Sequence, residues 1–417
     1  MRALLAAASA AALLGAACNA QGSGQPAHVT GNAPARSGGS AGAAIDYGTA
    51  NTPEQRPAFA GQTRAPGVAQ SVPVQTTVVA RGLESPWGVE VLPDGRMLVT
   101  ERQGRLRLVA RDGTLSAPIG GLPAVDARGR QGGLLDVALA PDFGTSGRIW
   151  WSYSEPRENG ENGTAVASGV WREGRPNLSD VRVVWRQTPS WRSTMHYGSR
   201  IVFDRAGHVF ITTGERSMAE PRQLAQDLGT GLGKVIRLNL DGTVPRDNPF
   251  VDREGVLPEI WSYGHRNLQS AALDGQGRLW TVEHGPRGGD ELNRPQAGRN
   301  YGWPVITYGE DYSGAPLGQG VTARQGMEQP LYYWDPVIAP SGMVVHTGAG
   351  SAAWRGNVFI GGMGTQGLVR LVLDGDRVVG EERIPVGERV RDVTQGPGGA
   401  LYAALDDGRI LRIAPRS

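Results

Sequence analysis

Hydrophobic and polar positions alternate in short runs along most of this chain, and the runs come in pairs. In the clearest pair, Trp87-Gly88-Val89-Glu90-Val91-Leu92 and Arg96-Met97-Leu98-Val99-Thr100 flank a Pro93-Asp94-Gly95 turn. Alternation of period two marks a half-buried strand, and Pro-Asp-Gly favours the tight turn that joins two of them. The phrase returns with variations at residues 135–151, 199–213, 269–282 and 390–404, and in looser form at 342–360. Its turns lie at Pro141-Asp142, 204–207, 274–277, Pro397-Gly398-Gly399 and around 349–356. A further strand pair usually follows, as at 106–109 or at 235–240 with Asp241-Gly242. No segment sustains a helical period.

A hairpin followed by a second strand pair makes a four-stranded antiparallel blade. At roughly 40–60 residues per blade, residues 74–417 hold six to eight blades, and the repeated units themselves number six. The expected fold is all-β, a six-bladed β-propeller of four-stranded antiparallel blades. A generic β-sandwich would not repeat one hairpin phrase over the whole domain. The 62 glycines, without collagen-like periodicity, agree with many tight turns.

The first 73 residues read differently. Arg2 and the Ala/Leu-rich run 3–17 have the pattern of a signal peptide, and the run is too short to span a bilayer. Gly15-Ala16-Ala17-Cys18 resembles a lipobox ending the signal segment 1–18, so that cleavage before Cys18 would make Cys18 the lipidated N-terminus of an outer-membrane lipoprotein in the periplasm. Cleavage after Ala20, giving a soluble periplasmic protein, is the alternative. Residues 19–73 are rich in Gly, Ala, Ser, Pro, Gln and Thr, and are expected to form a flexible low-complexity tether. With Cys18 the sole cysteine, no internal disulfide can form. A net charge of +2 with both signs mixed gives no nucleic-acid surface.

Propellers host enzymes, scaffolds and binders alike, so function must be read from the loops at the strand ends. Three of the six histidines have unusual settings: Met195-His196-Tyr197-Gly198, Gly264-His265-Arg266-Asn267 and Glu283-His284-Gly285-Pro286. His28, His208 and His346 lie in the tether or in hairpin arms. Glu215 follows the strand that begins after His196, so one hairpin can bring the two to the same rim. A carboxylate bonded to imidazole fixes its tautomer and supports its charged form, as a general base requires. The loop 283–293, glycine-rich and carrying Glu283, Asp290 and Glu291, offers the oxygen ligands calcium prefers. It would equally serve as a solvated turn. Zinc is disfavoured, because there is no second cysteine and the histidines are not closely spaced.

Several phrases resemble the soluble quinoprotein glucose/sorbosone dehydrogenases: Arg130-Gln131-Gly132-Gly133-Leu134-Leu135, His196-Tyr197-Gly198-Ser199-Arg200, Gly264-His265-Arg266-Asn267, Glu283-His284-Gly285-Pro286, Asn300-Tyr301-Gly302-Trp303-Pro304 and Arg389-Val390-Arg391-Asp392-Val393. They run in order through residues 74–412, and the short loops are most similar to the aldose sugar dehydrogenases. The resemblance implies pyrroloquinoline quinone (PQQ) and calcium (Ca2+) as cofactors, a small-molecule sugar substrate and an external electron acceptor. It makes His196 the catalytic base and Glu215 its acidic partner. Gln131, Arg266 and Asn267 would contact the cofactor or the reacting oxygen, and Arg389 and Arg391 would face the cofactor carboxylates. Gly285 and Pro286 would offer carbonyls to one calcium. Glu291 and Tyr301 match a second, structural calcium site, and Trp334 is a candidate wall of the sugar cleft. One departure stands out. Gly364, in Ile360-Gly361-Gly362-Met363-Gly364, occupies the place of the family's cofactor-pairing lysine, for which Arg287 is a candidate substitute.

Oxidation of a hemiacetal needs a hydride acceptor that side chains cannot supply. No Gly-x-Gly-x-x-Gly opens a βαβ unit, so a nicotinamide Rossmann site is not indicated. The expected activity is oxidation of the anomeric hydroxyl of aldoses to lactones. Two alternatives remain open at this point: a calcium-dependent sugar lactonase, and a non-catalytic propeller lipoprotein that binds glycans or partners.

Overall fold

The computed structural model describes residues 44–416, so the leader and Cys18 lie outside the described residues. Six antiparallel sheets form a ring, with almost no helix. The innermost strands, from Pro86–Val91 to Val390–Gln395, pack against one another in chain order, and the last of them packs on the first. The architecture is the expected six-bladed propeller. Every hairpin read from the alternation forms the two inner strands of a blade, including the looser one, observed as Pro340–Val345 and Val358–Gly362. In the first blade, three full strands are completed by bridges from Leu115 and Ile119 to the edge strand Arg105–Val109.

Three of the six hairpin turns share one physical device. Asp94 Oδ1 accepts the Arg96 N–H, Asp204 Oδ1 those of Ala206 and His208, and Asp274 Oδ1 those of Gln276 and Arg278. Gly95 has a φ of 88°, a conformation that costs a non-glycine residue strain. The aspartate closes the turn locally, which is why these turns were visible in sequence.

The apolar faces meet between blades. Leu98 and Leu106 of the first blade pack with Leu134, Ile149 and Trp151 of the second. Trp150 and Val166 meet Val209 and Ile211 at the next junction. Trp280 and Leu292 meet Val358 and Ile360 between the fourth and fifth blades. Each of the six junctions has its own buried cluster.

Two features were not anticipated. Val74–Ala80 adds antiparallel to Ile410–Pro415 and is thus the outer strand of the last blade, so the two ends of the domain fasten the ring. The second concerns the expected tether. Its described part is not a free segment: residues 46–68 lie along the outer parts of the fourth and fifth blades. Asn51 and Thr52 donate four hydrogen bonds of 2.7–3.0 Å to the Asp335 carboxylate. Gln62 is fully buried, donating to the Pro330 carbonyl and accepting from Tyr308 and the Ala58 N–H. Tyr47 donates to the Ala65 carbonyl, and Ala65 N–H donates to Tyr332. Composition suggested disorder because few apolar groups are available to bury. The segment is held instead by polar groups whose partners lie far along the chain.

Asp335→Ala is expected to free this segment at a cost of about 1–3 kcal/mol, the usual penalty for stranding buried donors. Thermal unfolding will show the loss, and trypsin will cut after Arg64 faster than in the parent. Unchanged cleavage would show that Asp335 does not hold the segment.

Candidate functional site

The candidate site is assembled from strand ends of the second, third, fourth and sixth blades. His196 precedes the inner strand Gly198–Phe203, and Glu215 follows its partner His208–Thr213, so one hairpin brings them together as expected. His196 Nδ1 lies 2.8 Å from Glu215 Oε1, and both side chains are almost wholly buried. The other carboxylate oxygen accepts the Ser217 N–H at 2.7 Å. With Nδ1 committed to a carboxylate, the proton sits on Nδ1 and Nε2 carries the lone pair.

Burial and the Arg266 guanidinium push the His196 imidazole down to about 4, against the support of Glu215. Burial opposes the Glu215 charge, but the hydrogen bond and charge of His196 outweigh it and hold the carboxyl below its usual range. The pair is therefore a neutral imidazole beside a carboxylate at neutral pH.

Gln131, Arg266 and Asn267 frame the pair. Gln131 Oε1 accepts the His196 N–H at 2.7 Å, fixing the backbone of the base. Asn267 Oδ1 accepts the Gly198 N–H at 3.0 Å, so this oxygen serves the third blade. Arg266 donates to the His284 carbonyl and its carbonyl accepts the Glu215 N–H, while its guanidinium lies 5.2 Å from the Trp303 ring centroid. Its Nη2 is 3.5 Å from the hydroxyl of Tyr312, a residue 71% exposed that the sequence reading passed over. The only available signal was an aromatic in an otherwise polar, glycine-flanked loop.

His265 contrasts with His196. Its Nδ1 meets Glu283 Oε1 and its Nε2 meets Ser262 Oγ, so both nitrogens are occupied and the ring stacks on Tyr301. That is a structural histidine. His284 has a buried, unpartnered Nε2, and burial together with Arg266, His196 and Arg391 keeps it well below the usual imidazole range.

The loop after Glu283 is folded tightly on itself. Asp290 accepts the N–H groups of Gly285, Ile338 and Ala339, each at 2.8 Å. A side chain at Gly285 would run into the Gly288 and Gly289 backbone at 2.3 Å. Glu291 stands opposite Glu283 across the ladder, and burial with the Glu283 charge raises its carboxyl well above the usual range. A small cavity of about 10 Å³, room for one small species, is lined by Glu283, Glu291, Gly285, Gly289, Tyr301 and Thr307 among others. Gly285, Glu291 and Tyr301 are thus brought to one place. The Tyr301 hydroxyl is taken by the Arg294 carbonyl and the Gln296 N–H, so a ligand role would fall to its backbone carbonyl. Two facing carboxylates with backbone carbonyls are a donor set suited to a hard divalent cation.

Arg389 and Arg391 come together in the last blade, but on a carboxylate of this chain. Arg391 grips Asp406 through Nε and Nη2 at 3.0 and 3.1 Å, and Arg389 Nε reaches the same group at 2.8 Å. Two cations on one anion leave a net positive patch. Arg102, also unanticipated, adds to it: it donates to the Gly129 and Gly132 carbonyls beside Gln131, and burial and Arg391 lower its proton affinity. Among the described residues it has no acidic partner within ion-pair distance. Arg287, the candidate substitute for the missing lysine, does not join this patch. It pairs with Glu310 at 2.9 Å and bonds Asn51 of the outer segment.

Trp334 is also placed differently from the expectation. It is 2% exposed, in the outer strand of the fourth blade, where its indole N–H donates to Glu381 and its ring packs edge-on to Tyr332. It belongs to the core between the fourth and fifth blades and walls no cleft.

The geometry agrees with what the chain is similar to. The family described as glucose / sorbosone dehydrogenase matches residues 83–412. Aldose sugar dehydrogenase YliI of Escherichia coli is 44% identical over 352 residues, covering 82% of this chain and 94% of the relative. The crystal structure of the soluble E. coli aldose sugar dehydrogenase in its apo-form superposes with a TM-score of 0.78 at 43% identity, covering 82% of this chain and all of the other. The PQQ-bound aldose sugar dehydrogenase of Streptomyces coelicolor superposes with a TM-score of 0.68 at 28% identity, over 83% of this chain and all of the other. The chain therefore belongs to the glucose/sorbosone dehydrogenase family.

Proposed function

We propose that the protein is a PQQ- and calcium-dependent dehydrogenase that oxidises the anomeric hydroxyl of aldose sugars to lactones. The observation that carries this reading is the buried His196–Glu215 pair, with the lone pair of Nε2 free, beside a cluster of arginines at the same end of the propeller. Bound PQQ would supply the hydride acceptor that no side chain can provide.

The residues present fit such a group. Arg102, Arg389 and Arg391 outnumber Asp406 and favour a polyanionic, planar ligand that guanidinium forks can grip. The carbonyls of Gly285 and Pro286 would serve the calcium beside the cofactor, and Glu291 with the Tyr301 carbonyl, next to Glu283, would serve a second, structural calcium. Arg389 Nη2 lies 3.4 Å from the Met363 sulfur, so a guanidinium stands beside Gly364, whose N–H is bonded to the Ile338 carbonyl and which occupies the place of the family lysine.

His196 accepts the proton of the sugar C1 hydroxyl at Nε2. Glu215 stabilises the imidazolium as it forms and keeps the ring in the productive tautomer. Arg266 stabilises negative charge on the reacting oxygen and lowers the resting proton occupancy of His196, so the base is free at neutral pH. Gln131 holds the His196 backbone against the channel. The exposed Tyr312 and the Trp303 ring flank Arg266 and limit its freedom.

We also propose that the protein is exported and lipid-anchored at Cys18, passing electrons to an external acceptor. The support is the charged start, the apolar run 3–17 and the lipobox-like Gly15-Ala16-Ala17-Cys18.

Four outcomes are expected. Purified protein stripped with a chelator will bind PQQ only with added calcium, and aldose-dependent dye reduction will need both. Lactone hydrolysis independent of quinone would overturn the redox reading in favour of a lactonase. His196→Gln will lower kcat by about 100-fold or more while quinone binding persists. The acid limb of kcat will fall nearer pH 4 than the ordinary imidazole value, because His196 must be neutral to act; Glu215→Gln will move it lower still, since that carboxylate supports the imidazolium. Cells fed labelled palmitate will label the protein, and Cys18→Ser will abolish the label; a labelled Cys18→Ser protein would sink the anchor.

A further inference from the structure

Arg216 is a buried cation that the chemistry above does not use. It directly follows Glu215, is fully buried, and has a backbone φ of 74°. Among the described residues no carboxylate hydrogen-bonds its guanidinium. Nη1 donates to the carbonyls of Met195 at 2.9 Å and His196 at 3.3 Å, and Nη2 donates to the Ser193 carbonyl at 2.7 Å and to Asn162 Oδ1. The guanidinium carbon lies 3.7 Å from the Tyr197 ring centroid. Tyr197 in turn donates to Asn162 and to the Ser193 carbonyl, and Ser193 Oγ donates back to the Arg216 carbonyl at 2.6 Å.

Burying an arginine without a carboxylate partner is costly, and this one is compensated only by what it grips. All of its partners belong to the loop that carries His196 or to Asn162, which supports that loop. The grip has a physical purpose. His196 has a φ of 51°, a left-handed conformation that a non-glycine residue holds only when its surroundings impose it. Gln131 restrains the N–H of His196, and Arg216 restrains its carbonyl.

We propose that Arg216 is a positioning residue for His196, a planar clamp that holds the base-bearing loop in its strained conformation from below. This rests on the reading of His196 as the base. Lysine would preserve the charge but cannot span the same acceptors in one plane or stack on Tyr197. Glutamine would lose charge and fork together. The charged and titratable groups around the imidazole are Glu215, Arg266, Arg216 and His284. Removing Arg216 therefore removes one of the cations that disfavour imidazolium.

The test uses holoenzyme loaded with PQQ and calcium, with active sites counted from bound quinone. Arg216→Lys and Arg216→Gln are expected to lower kcat about 10- to 100-fold with KM for the aldose changed less than about threefold, as for a misplaced catalytic group. In parallel, histidine-labelled protein without substrate is titrated by NMR, the His196 signal being identified by its loss in His196→Gln. The His196 midpoint is expected to rise in Arg216→Gln, while Arg216→Lys shifts the resonance with little change in midpoint. Parent-like kcat and an unmoved His196 resonance in both variants would overturn the proposal. If neither variant folds, Asn162→Ala removes one anchor of the clamp and is expected to lower kcat in the same sense, and parent-like turnover there overturns it. Failure of the base reading is distinguishable, because His196→Gln would then retain turnover while the NMR arm still reports whether Arg216 governs the ring.

Discussion

Each blade of this propeller is a thin sheet whose apolar side chains are satisfied only by the next blade. Trp151 of the second blade has its partners in Leu98 and Leu106 of the first, and Ile360 of the fifth has them in Trp280 and Leu292 of the fourth. An open chain of such sheets would leave two apolar faces in water, so the ring is stable as a closed object. The antiparallel pairing of Val74–Ala80 with Ile410–Pro415 provides the closure. Everything at the channel depends on it, because the site has no element of its own: it is the set of strand ends that closure brings together.

That origin explains the electrostatics of the site. His196, Glu215, Arg266 and His284 come from two adjacent blades and are buried by the packing around them. Desolvation is accordingly the leading influence on His196, Glu215 and His284 alike. The surroundings then sort them: a hydrogen bond keeps Glu215 charged, and Arg266 keeps both imidazoles neutral. Across the channel, Arg389 and Arg391 share Asp406 while Arg102 leans on carbonyls, leaving excess positive charge. A neutral base and a positive patch at one end of the ring are the two features on which the proposed reaction rests. Membership of the glucose/sorbosone dehydrogenase family accords with this division of labour.

Buried ionisable groups without paired opposites recur in the fold, and most of their hydrogen bonds go to backbone groups. Lys234 donates to the carbonyls of Leu224, Ala225 and Leu232, and burial pushes it down to about 7. Arg216 grips the loop before His196, and Asp290 gathers three N–H groups around the Gly285 loop. These groups fix irregular backbone near strand ends, where no ladder of hydrogen bonds can do so.

The hairpins were legible in the chain because their determinants are local: glycine at the turn, joined in three of them by an aspartate, and alternation on either side. The pairing of His196 with Glu215 was legible for the same reason, since one hairpin separates them. Gln131, Arg266 and the Gly285 loop were reached through motifs, and the structure brings them to one rim. What the chain could not show by itself depends on partners far away in sequence. Whether Trp334 walls a cleft or fills a core is decided by the fifth blade packed against it. Whether residues 46–68 are free is decided by Asp335, Tyr308 and Tyr332. The pairing of Arg389 and Arg391 with Asp406, the failure of Arg287 to reach the patch, and the clamp of Arg216 on Asn162 are likewise settled by how blades and loops meet. Alternation and turn chemistry act over a few residues, and so sequence determined the strands; long-range packing and desolvation act only after the ring has closed, and so the tertiary structure decided the charges and contacts of the site.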